Sequence, residues 1–158
     1  LEVPVIAKEV GWGFSPDAVR RLADAGVAAI DVAGAGGTSW SEVEYYRAPN
    51  AQHANVARAF ADWGIPTADA IRYAREAAPD LPVIASGGLR DGIDIAKCVA
   101  LGATLGGIAG PFLKAADSGL DAARKLIWEL STQIRIAMFA SGAADIAALQ
   151  NMPLLRDD

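Results

Sequence analysis

The sequence has a single cysteine, Cys98, among its 158 residues. One thiol cannot build an internal disulfide framework, and a chain without disulfides suits a reducing compartment. We therefore expect a cytoplasmic protein that depends on its apolar core for stability.

Basic residues are also few: 14 Lys and Arg stand against 19 Asp and Glu, for a formal net charge of -5. A general nucleic-acid binder needs a basic face to neutralise phosphates, so no nucleic-acid partner is expected. A small anionic ligand remains compatible, because backbone amides at helix N-termini hold phosphate without net positive charge.

Long hydrophobic runs are absent, since every apolar stretch is short and broken by glycine or charge. This pattern excludes a membrane span, and no signal-peptide pattern is present. The sequence starts at Leu1 without an initiator methionine and enters a strand almost at once. We expect that it continues an upstream segment.

The chain alternates short apolar runs with amphipathic stretches. We predict strands at residues 3–7, 28–33, 82–86 and 104–109. We predict helices at 16–25, 68–78, 92–101, 120–140 and 143–150, with a short helix after Pro111. Ser15, Thr67 and Asp91 are the expected caps, and residues 39–63 are predicted to be a loop with one or two helical turns.

This alternation predicts an α/β fold with parallel strands and right-handed crossovers, in one domain over residues 1–158. Four βα units fit either a small open sheet or half of a closed eight-stranded barrel. The apolar strands are typical of a sheet covered on both faces. An isolated half barrel leaves bare edges, so we expect pairing with a second half, dimerisation, or a longer parent chain.

Two glycine loops follow consecutive predicted strands and precede helices. The first, residues 86–92, contains Gly87, Gly88 and Arg90, and the second contains Ala109 and Gly110. One such loop alone is compatible with a tight turn. Two in tandem predict the phosphate site that many TIM barrels build after their last two strands.

Lys8 ends the first predicted strand, at the end where barrel active sites lie. A surface lysine is the alternative interpretation. Glu9 is either its ion-pair partner or a second site residue. Thr38 and Ser39, after the second strand, offer hydroxyl donors to a carbonyl or phosphate oxygen.

Several runs together resemble the type 2 isopentenyl-diphosphate isomerases, colinearly through nearly the whole chain. The specific ones are KEVG at residues 8–11, GGTSW at 36–40 and WGIPTA at 63–68. The run SGGLR at 86–90 occurs in many flavin barrels.

The resemblance implies that this chain is the C-terminal half of a (β/α)8 TIM-type barrel, four βα units plus C-terminal helices, that binds FMN. It implies that Lys8 lies against the flavin ring. It also implies a candidate acid/base at Glu44, for which a solvated carboxylate at a helix start is the alternative. The remaining cofactor positions implied are Ala33, Thr38, Gly87, Gly88, Arg90, Ala109 and Gly110.

The implied reaction interconverts isopentenyl and dimethylallyl diphosphate in a homo-oligomer, with reduced flavin as acid/base, NADPH as reductant and Mg²⁺ on the diphosphate. The His-Leu-Asn…Gln-Glu pattern of this family is absent here, and the lone His53 is expected at the surface. No His, Asp or Glu cluster has metal-ligand spacing. We therefore expect the Mg²⁺ ligands in an N-terminal half, and no activity from this chain alone.

Three rival functions remain. An α-hydroxy-acid oxidase needs a histidine base and an arginine clamp, which residues 33–37 do not supply. An inosine-monophosphate-dehydrogenase-like barrel needs a nucleophilic cysteine in a loop, whereas Cys98 is predicted inside a helix as a buried thiol. A non-catalytic half barrel that binds phosphate or flavin could self-associate.

The apolar stripe on the long helix (Leu126, Ile127, Leu130, Ile134 and Met138) is expected to pack against the barrel.

Overall fold

The computed structural model describes residues 2–155, and within them four parallel strands form one sheet in the order β1-β2-β3-β4. The strands are short: β1 (Ile6–Lys8), β2 (Ala29–Asp31), β3 (Val83–Ala85) and β4 (Leu105–Gly106). Sequential order with parallel pairing confirms the predicted βα repeats and describes one arc of a (β/α) barrel.

The helices alternate with these strands and continue after the last one. They are α1 (Pro16–Asp24), α2 (Trp40–Arg47), α3 (Ala51–Arg58), α4 (Thr67–Ala77), α5 (Gly92–Ala100), α6 (Gly110–Ser118), α7 (Leu120–Ser141) and α8 (Ile146–Gln150). Two predicted caps are confirmed. The Ser15 hydroxyl accepts from the Ala18 N–H at 3.2 Å, and the Asp91 carboxylate accepts from Asp94 at 2.8 Å.

The segment between β2 and α4 is more ordered than predicted. It contains α2 and α3, each of eight residues, so the prediction of a loop with one or two helical turns was wrong in extent. Ser39 caps α2 by accepting from the Glu42 N–H, and Asn50 caps α3 by accepting from the His53 N–H. Their apolar periodicity is weak, because neither helix buries an apolar side chain, and this is why the pattern missed them.

Thr67 is not a helix cap, which corrects a second prediction. Pro66 occupies the cap position of α4, and Thr67 is its first residue. The Thr67 hydroxyl instead donates to the carbonyl oxygens of Gly87 at 2.6 Å and Ser86 at 3.3 Å. The residue therefore ties the start of α4 to the loop after β3.

The sheet has one covered face and one open face. Ile30, Val32, Val83 and Ala85 are fully buried in the cluster that the sheet forms with α1, α4 and α5. On the opposite face Ile6 is 55% exposed and Leu105 is 58% exposed. Cover on both faces, as the strand composition suggested, is thus absent among residues 2–155. The open face is the one that would line the interior of a closed barrel.

The longest helix, α7, packs against α5 and the C-terminal segment. Leu130 is buried, and Met138 contacts the cluster around Ala96 and Val99. The predicted stripe is therefore mostly packed, although Ile127 is exposed. None of the helices in the described part of the chain combines the length and apolarity needed to cross a membrane.

Substitutions on the two faces of the sheet should lower the free energy of unfolding by different amounts. Ile30→Ala, on the covered face, should lower the free energy of unfolding by about 2–5 kcal/mol because it opens a cavity in a packed core. Ile6→Ala, on the open face, should cost less than about 1 kcal/mol. Urea denaturation of both variants measures this. Equal costs would contradict an open inner face.

Candidate functional site

The carboxyl ends of the four strands surround a cleft of about 610 Å³. Parallel strands bring these ends to one edge, so residues distant in sequence meet there. The cleft is lined by all eight predicted cofactor positions, namely Lys8, Ala33, Thr38, Gly87, Gly88, Arg90, Ala109 and Gly110.

A larger cleft of about 820 Å³ lies on the other side of the Gly87–Arg90 segment, between α4, α5 and residues 152–155. Neither Lys8 nor Thr38 lines it, and the loop before α6 does not reach it. The smaller cleft at the strand ends is therefore the candidate site.

Lys8 projects from the end of β1 and is held in place. Its ammonium lies 3.2 Å from the Asp31 carboxylate and donates to the Glu9 carbonyl oxygen at 3.1 Å. The side chain is still 57% exposed, so a ligand in the cleft can reach it. The structure thus favours a positioned cation over a freely solvated surface lysine.

Glu9 is not the ion-pair partner of Lys8. Its carboxylate accepts from four successive backbone N–H groups, those of Val10, Gly11, Trp12 and Gly13, at distances up to 3.1 Å. A carboxylate in such a nest of amides fixes the loop after β1. The structure therefore contradicts the ion-pair alternative and gives Glu9 a loop-ordering role, while a part for it in the site stays a prediction.

Asp31 is the site residue that sequence reasoning missed. It is 8% exposed, and its Oδ1 accepts from the Ser86 hydroxyl at 2.6 Å and from the Ala33 N–H at 3.2 Å. Buried carboxylates persist when they are paired and hydrogen-bonded, as this one is. The available signal was a lone acid inside the otherwise apolar run at residues 28–33.

The loops after β2 and β3 touch through their backbones. Gly87 has φ +102°, and a Cβ there would overlap the Gly34 carbonyl oxygen and lie 2.9 Å from the Thr67 Oγ1. Gly88 has φ +80°, and its Cβ would overlap the Gly36 carbonyl. Glycine is therefore required at both positions by contact as well as by conformation.

The start of α5 is less available to an anion than its sequence suggested. The Ile93 and Asp94 N–H groups donate to Asp91, and the Gly92 N–H donates to the Gln133 side chain at 2.7 Å. The start of α6 has no side-chain cap, and a Cβ on Gly110 would meet open space. Amides for a phosphate are thus more available at α6.

Arg90 lies at the rim of the cleft and is held there by an ion pair with Asp94. Its Nε lies 3.0 Å from the Asp94 carboxylate, and the side chain is 80% exposed. The hydrogen bond from Arg90 holds the pKa of the Asp94 carboxyl below its ordinary value. This pair presents the guanidinium beside Gly88 without burying it.

Other predicted residues lie away from the cleft. Glu44 is exposed on α2 and does not line it, so its acid/base role stays a prediction. His53 is at the surface of α3 as expected, with its ring 2.8 Å from Asn50. Burial raises the pKa of Cys98 to about 11, which suits a structural thiol. Between residues 2 and 155 no three His, Cys, Asp or Glu side chains are grouped to hold a metal.

Three tryptophans, Trp12, Trp40 and Trp63, lie near the loops at the strand ends. Ser39, which was expected as a ligand donor, caps α2. The neighbouring Trp40 donates from its indole to the Val10 carbonyl at 2.8 Å. Trp63 packs edge-on against Phe60, and Trp12 lies with it at a separate pocket. None of the three lines the cleft.

Comparison with known proteins fits this arrangement. The family model described as FMN-dependent dehydrogenase matches residues 1–156. The chain belongs to this family.

Curated relatives in this family carry a more specific name. Proteins named isopentenyl-diphosphate delta-isomerase are 54% identical in Xanthobacter autotrophicus, 54% in Stutzerimonas stutzeri and 52% in a Nostoc strain. The matches cover 100%, 99% and 96% of this chain, but 46%, 45% and 43% of the relatives. The chain thus spans less than half the length of these relatives.

Solved structures support the fold. A mandelate oxidase structure matches 97% of this chain and 38% of its own, with a TM-score of 0.71 at 23% identity. The same enzyme with benzoyl-formic acid gives 0.70 over 97% of this chain and 39% of its own, also at 23% identity. At this identity the likeness concerns the barrel architecture.

The glycine contacts predict a steric requirement at Gly87. Gly87→Ala should lower the free energy of unfolding by about 1–3 kcal/mol because of its positive φ and the overlap with Gly34. Gly110→Ala, where the added carbon meets open space, should stay within about 1 kcal/mol of the parent. Thermal or urea unfolding checks both, and a tolerated Gly87→Ala would refute the close approach.

Proposed function

We propose that this chain is the flavin-binding part of an FMN-dependent isopentenyl-diphosphate delta-isomerase. The observation that carries the proposal is the convergence of all eight predicted cofactor positions on one cleft. Curated relatives of that name at 54% identity support the same activity.

The cleft fits FMN in size and in chemistry. Its volume of about 610 Å³ falls in the range of small-molecule sites. The uncapped start of α6 and the Gly87–Gly88 backbone offer amides to a phosphate, and Arg90 adds a cation at the rim. Lys8, Ala33 and Thr38 lie on the side of the cleft formed by β1 and β2, where they would contact the flavin ring.

FMN bound in this cleft would supply acid/base chemistry in its reduced, anionic form. Lys8 would hold a positive charge against the ring, and its contacts with Asp31 and the Glu9 carbonyl restrain it there. The glycine loops bring backbone close to the ligand and exclude side chains from the same space. Glu44 is the proposed proton-relay group at the substrate end.

The substrate would be a prenyl diphosphate, isopentenyl or dimethylallyl diphosphate. Mg²⁺ on the diphosphate and NADPH as the reductant belong to the same proposal. The metal ligands are proposed to come from a further part of a longer protein, because this chain spans 46% of the relative from Xanthobacter autotrophicus. That part would also cover the open face of the sheet and complete the barrel.

A cytoplasmic location and a homo-oligomeric assembly complete the proposal. The free, buried Cys98 is compatible with a reducing compartment. Exposed apolar side chains on α7, Trp128 and Phe139 among them, offer surface for subunit contacts.

An α-hydroxy-acid oxidase activity is less well supported. The fold likeness to mandelate oxidase is strong, but oxidation of a hydroxy acid requires a histidine base near the flavin. The single histidine of this chain, His53, is on the surface of α3, bonded to Asn50. No observation at the cleft favours this function over the isomerase.

Flavin binding is the first test. Titration of the protein with FMN should give saturable quenching of flavin fluorescence. Arg90→Ala should raise the Kd about tenfold, the cost of one charge-assisted hydrogen bond. Arg124→Ala, which breaks a similar exposed pair with Asp121 on α7, is the matched control and should change nothing.

Riboflavin, which lacks the phosphate, separates phosphate binding from ring binding. Its Kd should not respond to Arg90→Ala if the guanidinium contacts the phosphate. Equal losses for FMN and riboflavin would place Arg90 elsewhere, and no FMN binding by folded protein would refute the proposed site.

The chain of 158 residues should bind FMN without interconverting the two diphosphates. The reason is that the Mg²⁺ ligands and the diphosphate contacts are proposed to come from elsewhere in a longer protein. An isomerisation assay with reduced FMN and Mg²⁺ checks this by NMR of the isoprenoid product. Turnover by this chain alone would show that residues 1–158 contain the whole active site.

A further inference from the structure

The Asp31 carboxylate links two parts of the cleft that are distant in sequence. Its Oδ2 lies 3.2 Å from the Lys8 ammonium at the end of β1. Its Oδ1 accepts from the Ser86 hydroxyl at 2.6 Å, where the loop after β3 begins. The Asp31 side chain is buried, whereas the Lys8 side chain that it holds is partly exposed to the cleft.

We propose that Asp31 is a positioning residue that fixes the Lys8 ammonium in the cleft and couples it to the loop that starts at Ser86. The consequence for the flavin rests on the proposed function, but the consequence for Lys8 does not. Asp31 itself acts through Lys8 and is not placed against a reacting atom.

Lys8 needs such an anchor because of its own properties. A lysine has a flexible four-carbon stem and a compact charge, so an unanchored ammonium samples many positions. The Glu9 carbonyl, its other partner, belongs to the next residue and restrains it only locally. Asp31 is directly opposite Lys8 in the β1–β2 register, which sets the ammonium relative to the neighbouring strand.

The carboxylate is itself held on three sides. The Ala33 N–H and the Ser86 hydroxyl both donate to Oδ1, which leaves Oδ2 directed to Lys8. Asp31→Asn can keep the oxygen that faces Ser86 and Ala33. It would then present an amide N–H₂ to the Lys8 ammonium, and two donors repel each other.

The sign of the redox effect distinguishes positioning from simple electrostatics. If Asp31 acted only by its charge, removing that negative charge would favour the anionic reduced flavin. If Asp31 positions Lys8, its loss releases the cation from the ring and disfavours the reduced flavin. The two explanations predict opposite changes in the preference for reduced over oxidised FMN.

The test measures the ratio of Kd values for oxidised and reduced FMN in the parent and in Asp31→Asn. We expect the preference for reduced FMN to fall about tenfold, equivalent to about 1.4 kcal/mol. Asp69→Asn, which removes the carboxylate of the surface pair with Arg72, is the matched control and should leave the ratio unchanged. A preference that rises or stays constant in Asp31→Asn overturns the proposal.

A double-mutant cycle checks that the effect passes through Lys8. In a Lys8→Met background, Asp31→Asn should no longer lower the preference for reduced FMN. An equal fall in both backgrounds would assign Asp31 an effect independent of Lys8 and overturn the proposal.

If Asp31→Asn does not fold, Ser86→Ala replaces it. Loss of the hydroxyl donor should then give a smaller fall, and no change overturns the coupling.

A measurement without flavin separates this proposal from the proposed function. Lys8 acylation by acetic anhydride, followed by mass spectrometry and normalised to Lys114, reports how firmly the amine is held. Asp31→Asn should raise the Lys8 rate roughly five-fold, the upper range for a partly exposed ion pair. An unchanged rate overturns the proposal even if FMN binds. If the parent protein binds no FMN, the proposed function fails, and the acylation rate then decides whether the Asp31–Lys8 ion pair restrains the amine.

Discussion

The backbone contact between the Gly34 and Gly87 loops is the constraint on which the cleft depends. A side chain at either position would overlap the other loop or the start of α4, so the two strand ends approach as bare backbone. The Thr67 hydroxyl bonds the Gly87 carbonyl and adds the first turn of α4 to the same contact. Because the two loops approach so closely, the Ser86 hydroxyl reaches Asp31 at the bottom of the cleft.

The bond between Ser86 and Asp31 also determines where the Lys8 ammonium lies. Parallel pairing places Lys8 opposite Asp31, and the bonds of Asp31 Oδ1 to Ser86 and Ala33 direct Oδ2 toward the Lys8 ammonium. The loop after β1 is ordered separately, by the four amides that donate to the Glu9 carboxylate. Strand register and local hydrogen bonds, more than side-chain packing, thus locate the cation in this cleft.

The parts of the fold that the sequence predicted are those with local signals. The βα alternation, the caps at Ser15 and Asp91 and the glycine loops follow from periodicity and turn chemistry within a few residues. The extent of α2 and α3 was missed because exposed helices carry little apolar periodicity. The contacts of Asp31 and Thr67 were missed because their partners lie 55 and about 20 residues away.

Paired charges explain how an acidic chain could hold the proposed anionic ligand. Each cation at the cleft is paired with a carboxylate, Lys8 with Asp31 and Arg90 with Asp94, so the site has little net charge of its own. Pairing restricts where each cation lies, and preorganised charges stabilise a developing or bound anion better than mobile ones. Backbone amides at the start of α6 add dipoles without further charge. In the proposed site, positioned charge and not an excess of basic residues would therefore bind the anionic ligand.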